Sequence, residues 1–242
     1  ILKHNGDDMI KIYGKNCIRE AIRANQGLQQ VFVSEENSKR DKDFLKLLED
    51  KKIQYKIETK KQMDIIFGSN HQGYGAYHEP YKIYGDEILD EILNHPKRVL
   101  ILDGIMDPHN LGAILRSVDA FGYDAVVLPK NRSCSITETV AHISTGAIEH
   151  VKIAYVNSLG VFVERLKKLG YWICGTDAKG NVDLSEIDLT LNLAVIIGSE
   201  GFGMSRTLLK QVDYLISIPM IGHVNSLNAS VSTGIVLYAL KK

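Results

Sequence analysis

The chain has 242 residues, of which 45% are hydrophobic and 24% charged, and its 29 basic and 29 acidic residues give a formal net charge of zero. This composition is typical of a globular protein with one large domain or two modest ones. It excludes the disordered, collagen-like and disulfide-stapled classes. A protein without net charge can bind nucleic acid only through local basic patches, because bulk attraction is absent.

The cysteine and histidine content bears on the cellular compartment and on metal binding. Cys17, Cys134 and Cys174 lie far apart and form no C-x-x-C pair, which favours a reducing, cytoplasmic compartment and disfavours a structural zinc site. The eight histidines lack metal-ligand spacing, so we expect no metal. We predict no membrane span and no secretory leader. Residues 1–8 precede an internal Met9 and are left out of the fold prediction.

Residues 9–80 are predicted to form a small α/β domain. Apolar spacing predicts helices over 15–26, 41–50 and 60–67 and short strands over 31–33 and 53–57. The segment has 13 basic and 10 acidic residues, a surplus of three positive charges. We interpret its lysine and arginine pairs as solvated faces, with nucleic-acid contact as the alternative.

Residues 81–96 are acidic and contain an amphipathic stretch that ends before Pro96, so we predict a linker and the first helix of a second domain, 97–242. Strands are predicted over 98–102, 125–128, 151–156, 171–175, 193–197 and 214–218, and helices over 110–121, 158–169, 204–211 and 227–240. This alternation predicts an α/β domain with a buried parallel sheet. Ligands of such sheets bind beyond the carboxyl ends of the strands, so the loops there carry the functional information.

The first informative loop follows the strand over 98–102. Asn110 is predicted to cap the next helix, and Arg116 lies six positions later in the second turn of that helix. Taken alone, Arg116 is more often a surface arginine in an ion pair.

The second loop has the sequence GSEGFG, from Gly198 to Gly203. Its spacing, G-x-x-G-x-G, differs from the dinucleotide fingerprint G-x-G-x-x-G. Glycines after a buried strand indicate close backbone approach, either to a ligand or to another chain segment. A phosphate-binding loop is disfavoured, because the carboxylate of Glu200 would repel a phosphate group.

The third loop joins an apolar Ile-Pro-Met stretch, 218–220, to an Asn/Ser cluster just before the last predicted helix. Ser226 and Asn228 are predicted helix caps. The alternative is a pocket wall, half apolar and half polar, that suits a ligand with a flat aromatic base and a polar tail. Elsewhere, we find no G-x-S-x-G elbow, and Cys134 is interpreted as an ordinary thiol.

Together these loops resemble the SpoU (TrmH-type) branch of the SPOUT RNA 2′-O-ribose methyltransferases. The three motifs are DGIMDPHNLGAILRSVDAFG, VIIGSEGFGMS and ISIPMIGHVNSLNASVSTGIVLYAL, and the resemblance covers residues 98–242. The part from IYGKNCIREAI to HQGYGAYH resembles the ribosomal-protein-like substrate-binding domain of the family. That domain points to the rRNA guanosine-2′-O-methyltransferase subgroup.

The resemblance implies a deep trefoil knot in the C-terminal domain, S-adenosylmethionine as the cofactor and a homodimer. The knot comes from the family alone, because periodicity would suggest a plain doubly wound sheet. The implied cofactor-binding residues are Gly198, Gly201, Ile218 and Leu227, with Thr176 and Met220 as weaker candidates. Arg116 matches the catalytic arginine of the family. The implied polar active-site set comprises Asn110, Glu200, Ser226 and Asn228.

The implied reaction is methylation of a ribose 2′-hydroxyl, with a guanosine of 23S ribosomal RNA favoured as the target. Transfer RNA is the alternative substrate, and a non-catalytic RNA-binding protein is the competing class. In the family Arg116 is proposed to accept the hydroxyl proton. A guanidinium normally stays protonated, so the alternative is that Arg116 anchors a phosphate and stabilises developing negative charge. A nucleotide-dependent oxidoreductase is disfavoured, because its glycine fingerprint is missing.

Overall fold

The computed structural model describes residues 9–92, 98–199, 201–224 and 226–241. These residues divide into two compact units. The first unit comprises residues up to Tyr81 together with Ile136–His150, and the second comprises Lys82–Ser135 and Val151–Lys242. Residues 136–150 therefore lie in the first unit, although the sequence pattern placed them inside the predicted domain 97–242. No helix in the described ranges is both long and apolar enough to cross a membrane.

The first unit contains a four-stranded sheet in the order β1-β4-β2-β3. Its elements are β1 (Ile10–Tyr13), α1 (Lys15–Ala24), β2 (Leu28–Ser34), α2 (Glu35–Arg40), α3 (Lys42–Asp50), β3 (Tyr55–Glu58), α4 (Lys60–Phe67) and β4 (Tyr74–His78). Strand β4 pairs antiparallel with both β1 and β2, whereas β2 and β3 are parallel.

The three predicted helices and two predicted strands of this unit are confirmed as α1, α3, α4, β2 and β3, with shifted ends. Strands β1 and β4 and helix α2 were not predicted. Strand β4 contains Gly75, where an added Cβ would lie 2.4 Å from the Phe67 ring. The glycine that weakens the local strand signal thus lets an aromatic ring pack onto the sheet.

The second unit contains a seven-stranded sheet in the order β11-β9-β10-β6-β7-β8-β5, and every pairing in it is parallel. Its strands are β5 (Ile83–Tyr84), β6 (Arg98–Asp103), β7 (Ala125–Pro129), β8 (Lys152–Val156), β9 (Tyr171–Thr176), β10 (Asn192–Gly198) and β11 (Tyr214–Ile216). Its helices are α5 (Ile88–Ile92), α6 (Pro108–Ala120), α8 (Leu159–Lys168), α9 (Arg206–Leu209) and α10 (Ala229–Ala239), while α7 (Glu138–Ser144) belongs to the first unit.

These parallel pairings confirm the predicted α/β architecture. Strands β6 and β10 are almost wholly buried, as their continuous apolar sequences require. The helix predicted over 204–211 is wrong in extent: it has only the four residues of α9. At the start of β6 the buried Arg98 donates hydrogen bonds to the carbonyl oxygens of Leu240 and Leu191, at 3.0 and 2.5 Å. These bonds fix the end of α10 against the sheet.

Candidate active site

The candidate site lies where four neighbouring parallel strands end. Strands β11, β9, β10 and β6 are adjacent in that order, so their last residues, Ile216, Thr176, Gly198 and Asp103, lie along one edge of the sheet. The loops that carry all three sequence motifs begin at this edge. The register confirms it, since Gly198 pairs with Asp103 and Ile216 with Thr176.

The loop after β10 folds back on itself. Ser199 and Gly203 exchange two backbone hydrogen bonds, of 3.1 and 3.0 Å. A Cβ at Gly198 would lie 2.3 Å from the carbonyl carbon of Gly203, so this glycine is needed for the approach of its own chain. For Gly198, close approach to another part of the chain is therefore observed, and its approach to a ligand stays a prediction. Gly201 differs: its φ is 88°, and a Cβ there would meet no atom of a described, non-adjacent residue within 4 Å.

The loop after β9 closes over the end of β11. The backbone N–H of Asp177 donates to the carbonyl of Ile216 at 3.0 Å, and the hydroxyl of Ser217 donates to the carbonyl of Gly180, also at 3.0 Å. A Cβ at Gly180 would lie 2.3 Å from the carbonyl carbon of Ile216. Sequence reasoning missed Gly180, and the available signal was an isolated glycine shortly after a buried strand. The hydroxyl of Thr176 donates to the carbonyl of Ile196 at 3.1 Å.

The loop after β6 leads into α6. A carboxylate oxygen of Asp103 accepts a hydrogen bond from the N–H of Ser205 at 2.8 Å, which links the first motif to the second. The prediction that Asn110 caps α6 is wrong. Asp107 is the cap and accepts from the N–H of His109 at 3.0 Å, with Pro108 at the first helical position. The Asp-Pro pair is the signal that identifies this start.

Asn110 and Asn228 join the first and third motifs. The side-chain amide of Asn228 donates to the side-chain oxygen of Asn110 at 2.9 Å, and Asn110 is buried. Asn228 also caps α10, since its side-chain oxygen accepts from the N–H of Ser230 at 2.9 Å, so the predicted cap at Asn228 is confirmed. The predicted cap at Ser226 is wrong, because this exposed residue precedes the capping position.

The other predicted residues differ in exposure. Arg116 is exposed and makes no hydrogen bond or ion pair with any described residue, so the surface ion pair has no partner in this part of the chain. Ile218 and Leu227 are half-buried and Met220 is exposed. Glu200 lies outside the described residues.

A polar cleft of about 230 Å³ opens at the carboxyl ends of β6, β7 and β8. It contains none of the predicted site residues, although Asp103 and Ser205, which tie two motifs together, lie in its wall. The rest of its lining comprises Pro129, Asn131, Arg132, Ser158, Leu159, Gly160, Thr207 and Leu208.

The cysteines of this unit are poor nucleophiles. Burial and the nearby Asp107 carboxylate raise the pKa of the Cys134 thiol, and burial raises the pKa of Cys174 to about 12. Both groups therefore stay protonated near neutral pH, which supports the interpretation of Cys134 as an ordinary thiol and argues against covalent catalysis through either cysteine.

The sequence profile of the SpoU rRNA Methylase family matches residues 97–238, and the profile described as RNA 2′-O ribose methyltransferase substrate binding matches residues 11–84. A protein of Staphylococcus aureus named as a TrmH family tRNA/rRNA methyltransferase is 42% identical over 234 residues, covering 94% of this chain and 93% of its own.

Two solved structures share the fold. The SpoU methyltransferase AviRb from Streptomyces viridochromogenes, in complex with AdoMet, is 22% identical with a TM-score of 0.77, covering 98% of this chain and 92% of its own. The A. aeolicus TrmH/SpoU tRNA modifying enzyme is 30% identical with a TM-score of 0.55, covering 64% of this chain and 80% of its own.

Proposed function

Because this chain belongs to the SpoU rRNA methylase family, we propose that it transfers the methyl group of S-adenosylmethionine to a ribose 2′-hydroxyl, on a guanosine of 23S ribosomal RNA. The observation that carries this proposal is the junction of the three motifs at one sheet edge. There, Asn228 of the third motif bonds to Asn110 of the first, and Asp103 of the first bonds to Ser205 of the second.

The residues at the ends of β9, β10 and β11 fit the cofactor. Ile218, Met220 and Leu227 present partly exposed apolar side chains suited to an adenine ring, and the space around Gly201 is open. Gly198 would contribute backbone groups, since its own loop occupies the place of a side chain. Thr176 would likewise act through its backbone, because its hydroxyl is engaged by Ile196. The bound cofactor supplies an electrophilic sulfonium methyl group.

We assign Arg116 to the substrate phosphate. Its exposed guanidinium has no hydrogen-bonding partner among the described residues, so its five N–H donors are available to a ligand. A guanidinium binds a phosphate through two parallel hydrogen bonds and stabilises negative charge that develops on a nearby hydroxyl oxygen. Proton acceptance by Arg116 is the alternative, and it requires a neutral guanidinium.

The polar set would orient the reacting ribose. Methyl transfer requires the hydroxyl oxygen about 3 Å from the methyl carbon and in line with the leaving sulfur. The buried Asn110 and its partner Asn228 form a fixed pair at the start of two helices. Ser226 is exposed two residues before Asn228 and would turn toward the ribose or the methionine tail. Glu200, which lies outside the described residues, would hold the guanidinium of Arg116 in place.

Ribosomal RNA is favoured over transfer RNA because the substrate-binding profile matches residues 11–84, the part that resembles the rRNA subgroup. The likeness to a tRNA modifying enzyme keeps transfer RNA as the alternative. The three cysteines are all free and buried, which is consistent with the proposed cytoplasmic location.

The test is incubation of total RNA with methyl-labelled S-adenosylmethionine, followed by mapping of alkali-resistant ribose positions. We expect label in 23S RNA at a single guanosine. Label in transfer RNA alone would select the alternative substrate. Absence of label from every RNA would overturn the enzymatic proposal in favour of an RNA-binding protein.

A homodimer is part of the proposal. Helix α10 exposes a stripe of three apolar residues at helical spacing, Val231, Ile235 and Tyr238, which are 50, 39 and 58% exposed. Its opposite face, with Val236 and Leu237, is buried in the second unit. Helix α10 therefore has apolar residues on both faces, and only one face is covered within the chain. A second copy of the chain, packed through the same helix, would cover the exposed stripe.

A further inference from the structure

In the first unit, Gln72 has an uncommon backbone conformation and a side chain that forms no hydrogen bond with a described residue. Its φ is +55°, a left-handed conformation that non-glycine residues adopt uncommonly. The side chain is exposed, and its amide makes no hydrogen bond to any residue that the structure describes. The strain is therefore not offset by a hydrogen bond of the side chain to a described residue.

The conformation of Gln72 is imposed by the residues around it. Asn37 donates from its side chain to the carbonyl of Gln72 at 2.9 Å, and Gly73 donates from its N–H to Nδ1 of the buried His71 at 2.7 Å. Since Nδ1 accepts, Nε2 of His71 carries the proton and donates to Asp64 at 3.0 Å. A Cβ at Gly73 would lie 2.2 Å from the Asn37 side chain, which fixes the loop closely.

Two stacked rings lie beside this side chain. Tyr13 and His142 stack with ring centroids 4.1 Å apart and planes 24° from parallel, and both residues are half-buried. A Cβ at Gly14 would lie 3.8 Å from Cε1 of His142 and 3.9 Å from Oε1 of Gln72, so the imidazole and the amide flank the same glycine. All four residues belong to the first unit.

The His142 ring is also held in one orientation. Its Nδ1 lies 3.2 Å from the carbonyl oxygen of Tyr13, and a carbonyl can only accept, so Nδ1 carries a proton. In the neutral ring Nε2 is then an acceptor. The patch therefore combines a fixed ring stack with an amide that can both donate and accept hydrogen bonds.

We propose that Gln72, His142 and Tyr13 form a binding site for an unpaired nucleobase of the RNA substrate. Proteins recognise unpaired bases by stacking them on rings and by bonding their edges to polar side chains. A glutamine amide matches the donor and acceptor of an adenine edge, so adenine is the preferred base. The site rests on the proposed function in that RNA is its ligand, and it would help to select the substrate.

The test uses Gln72→Gly, which removes the amide and relieves the backbone strain. Asn25→Gly is the matched control, because Asn25 is also an exposed amide residue of the first unit with a left-handed φ, of 54°. Dissociation constants are measured by fluorescence anisotropy with single-stranded oligo(A), oligo(U) and an RNA duplex at one salt concentration. Methylation of total RNA and melting temperatures are measured in parallel.

We expect Gln72→Gly to weaken oligo(A) binding about tenfold or more, with duplex binding unchanged, and Asn25→Gly to bind oligo(A) as wild type does. Neither variant should melt below the wild-type temperature. Wild-type affinity of Gln72→Gly for oligo(A), or no single-strand binding by wild type, would overturn the site. A lower melting temperature than that of Asn25→Gly would mark Gln72 as structural and overturn it as well. If wild type methylates no RNA yet Gln72→Gly binds oligo(A) more weakly, the proposed function fails and the site stands.

Discussion

The side-chain amide of Asn228 donates to the side-chain oxygen of Asn110 across 2.9 Å, although 118 positions separate them in the sequence. This bond joins the first turn of α6 to the cap of α10. Two segments that each carry a motif are thereby held in one arrangement.

Replacing Asn228 by serine separates its two roles. Serine retains capping ability, so the free energy of unfolding should fall only by the contribution of the lost bond to Asn110, about 1 kcal/mol. Without that bond, we expect methylation kcat/KM to fall on the order of tenfold. Urea unfolding and initial rates check both values. Asn228→Ala is the companion variant, and it should lose about 2 kcal/mol because the cap is lost as well. Full activity of Asn228→Ser would show that the bond does not position the site.

Substitutions of Arg116 test the phosphate anchor. The exposed side chain contributes little to folding, so Arg116→Ala should melt as wild type does. We expect kcat/KM to fall about a hundredfold or more. Arg116→Lys keeps the charge but not the two-pronged geometry, and we expect most of the same loss. A nearly normal rate for Arg116→Lys would exclude a role that depends on the guanidinium fork.

Alanine substitution at two glycines of one loop should have different effects on stability. Gly198→Ala places a Cβ 2.3 Å from the Gly203 carbonyl carbon, so we expect several kcal/mol of destabilisation and loss of S-adenosylmethionine binding. The Cβ of Gly201→Ala meets no described, non-adjacent residue within 4 Å, so we expect a cost of about 1–2 kcal/mol from the strain of the positive φ. Chemical unfolding and calorimetric titration with the cofactor measure these effects. Equal stability of the two variants would contradict the close approach at Gly198.

A buried pair in the first unit predicts a pH dependence of stability. Burial alone would lower the pKa of His78, but the negative charge of the Glu149 carboxylate, whose Oε2 lies 3.3 Å from Nε2, raises it above its ordinary value. A raised pKa means that the folded state holds the proton more tightly. The stabilisation is therefore complete below about pH 6.5 and is lost as pH rises through the folded-state pKa.

We accordingly expect hydrogen-exchange protection in the first unit to decrease from pH 6 to pH 9, after correction for intrinsic exchange. In His78→Gln this dependence should be reduced. His150→Gln is the control, because His150 pairs with Glu20 at the surface, where such pairs contribute little. If the pH dependence of protection is unchanged in His78→Gln, it arises from another titratable group.

The exposed stripe of α10 predicts the oligomeric state. Ile235→Lys places a charge in the middle of the apolar face, and we expect it to convert a dimer to a monomer, because an unpaired charge is costly to bury. Light scattering at micromolar concentration measures the mass. Val161→Lys on α8, also at an exposed apolar residue, is the control for the same change in charge. A monomeric wild-type protein would refute the homodimer.

Much of the second unit could be predicted because its strands are buried on both faces and read as unbroken apolar runs, as in β6 and β10. Strands β1 and β4 escaped prediction because they are short and rely on antiparallel partners distant in the chain, such as Ile10 opposite His78. Helix α9 was overestimated at both ends, because Ser205 only precedes the helix and the backbone turns at Lys210 and Gln211.

The sequence by itself determined the three motifs, the parallel α/β class and the family to which they belong, because these depend on residue types and spacing along the chain. Tertiary structure alone decided that residues 136–150 pack in the first unit and that Asn228 bonds to Asn110. It also decided that Gln72 lies beside the Tyr13–His142 stack. Each of these depends on contacts between segments far apart in sequence, and a local pattern carries no record of which distant segment it will meet.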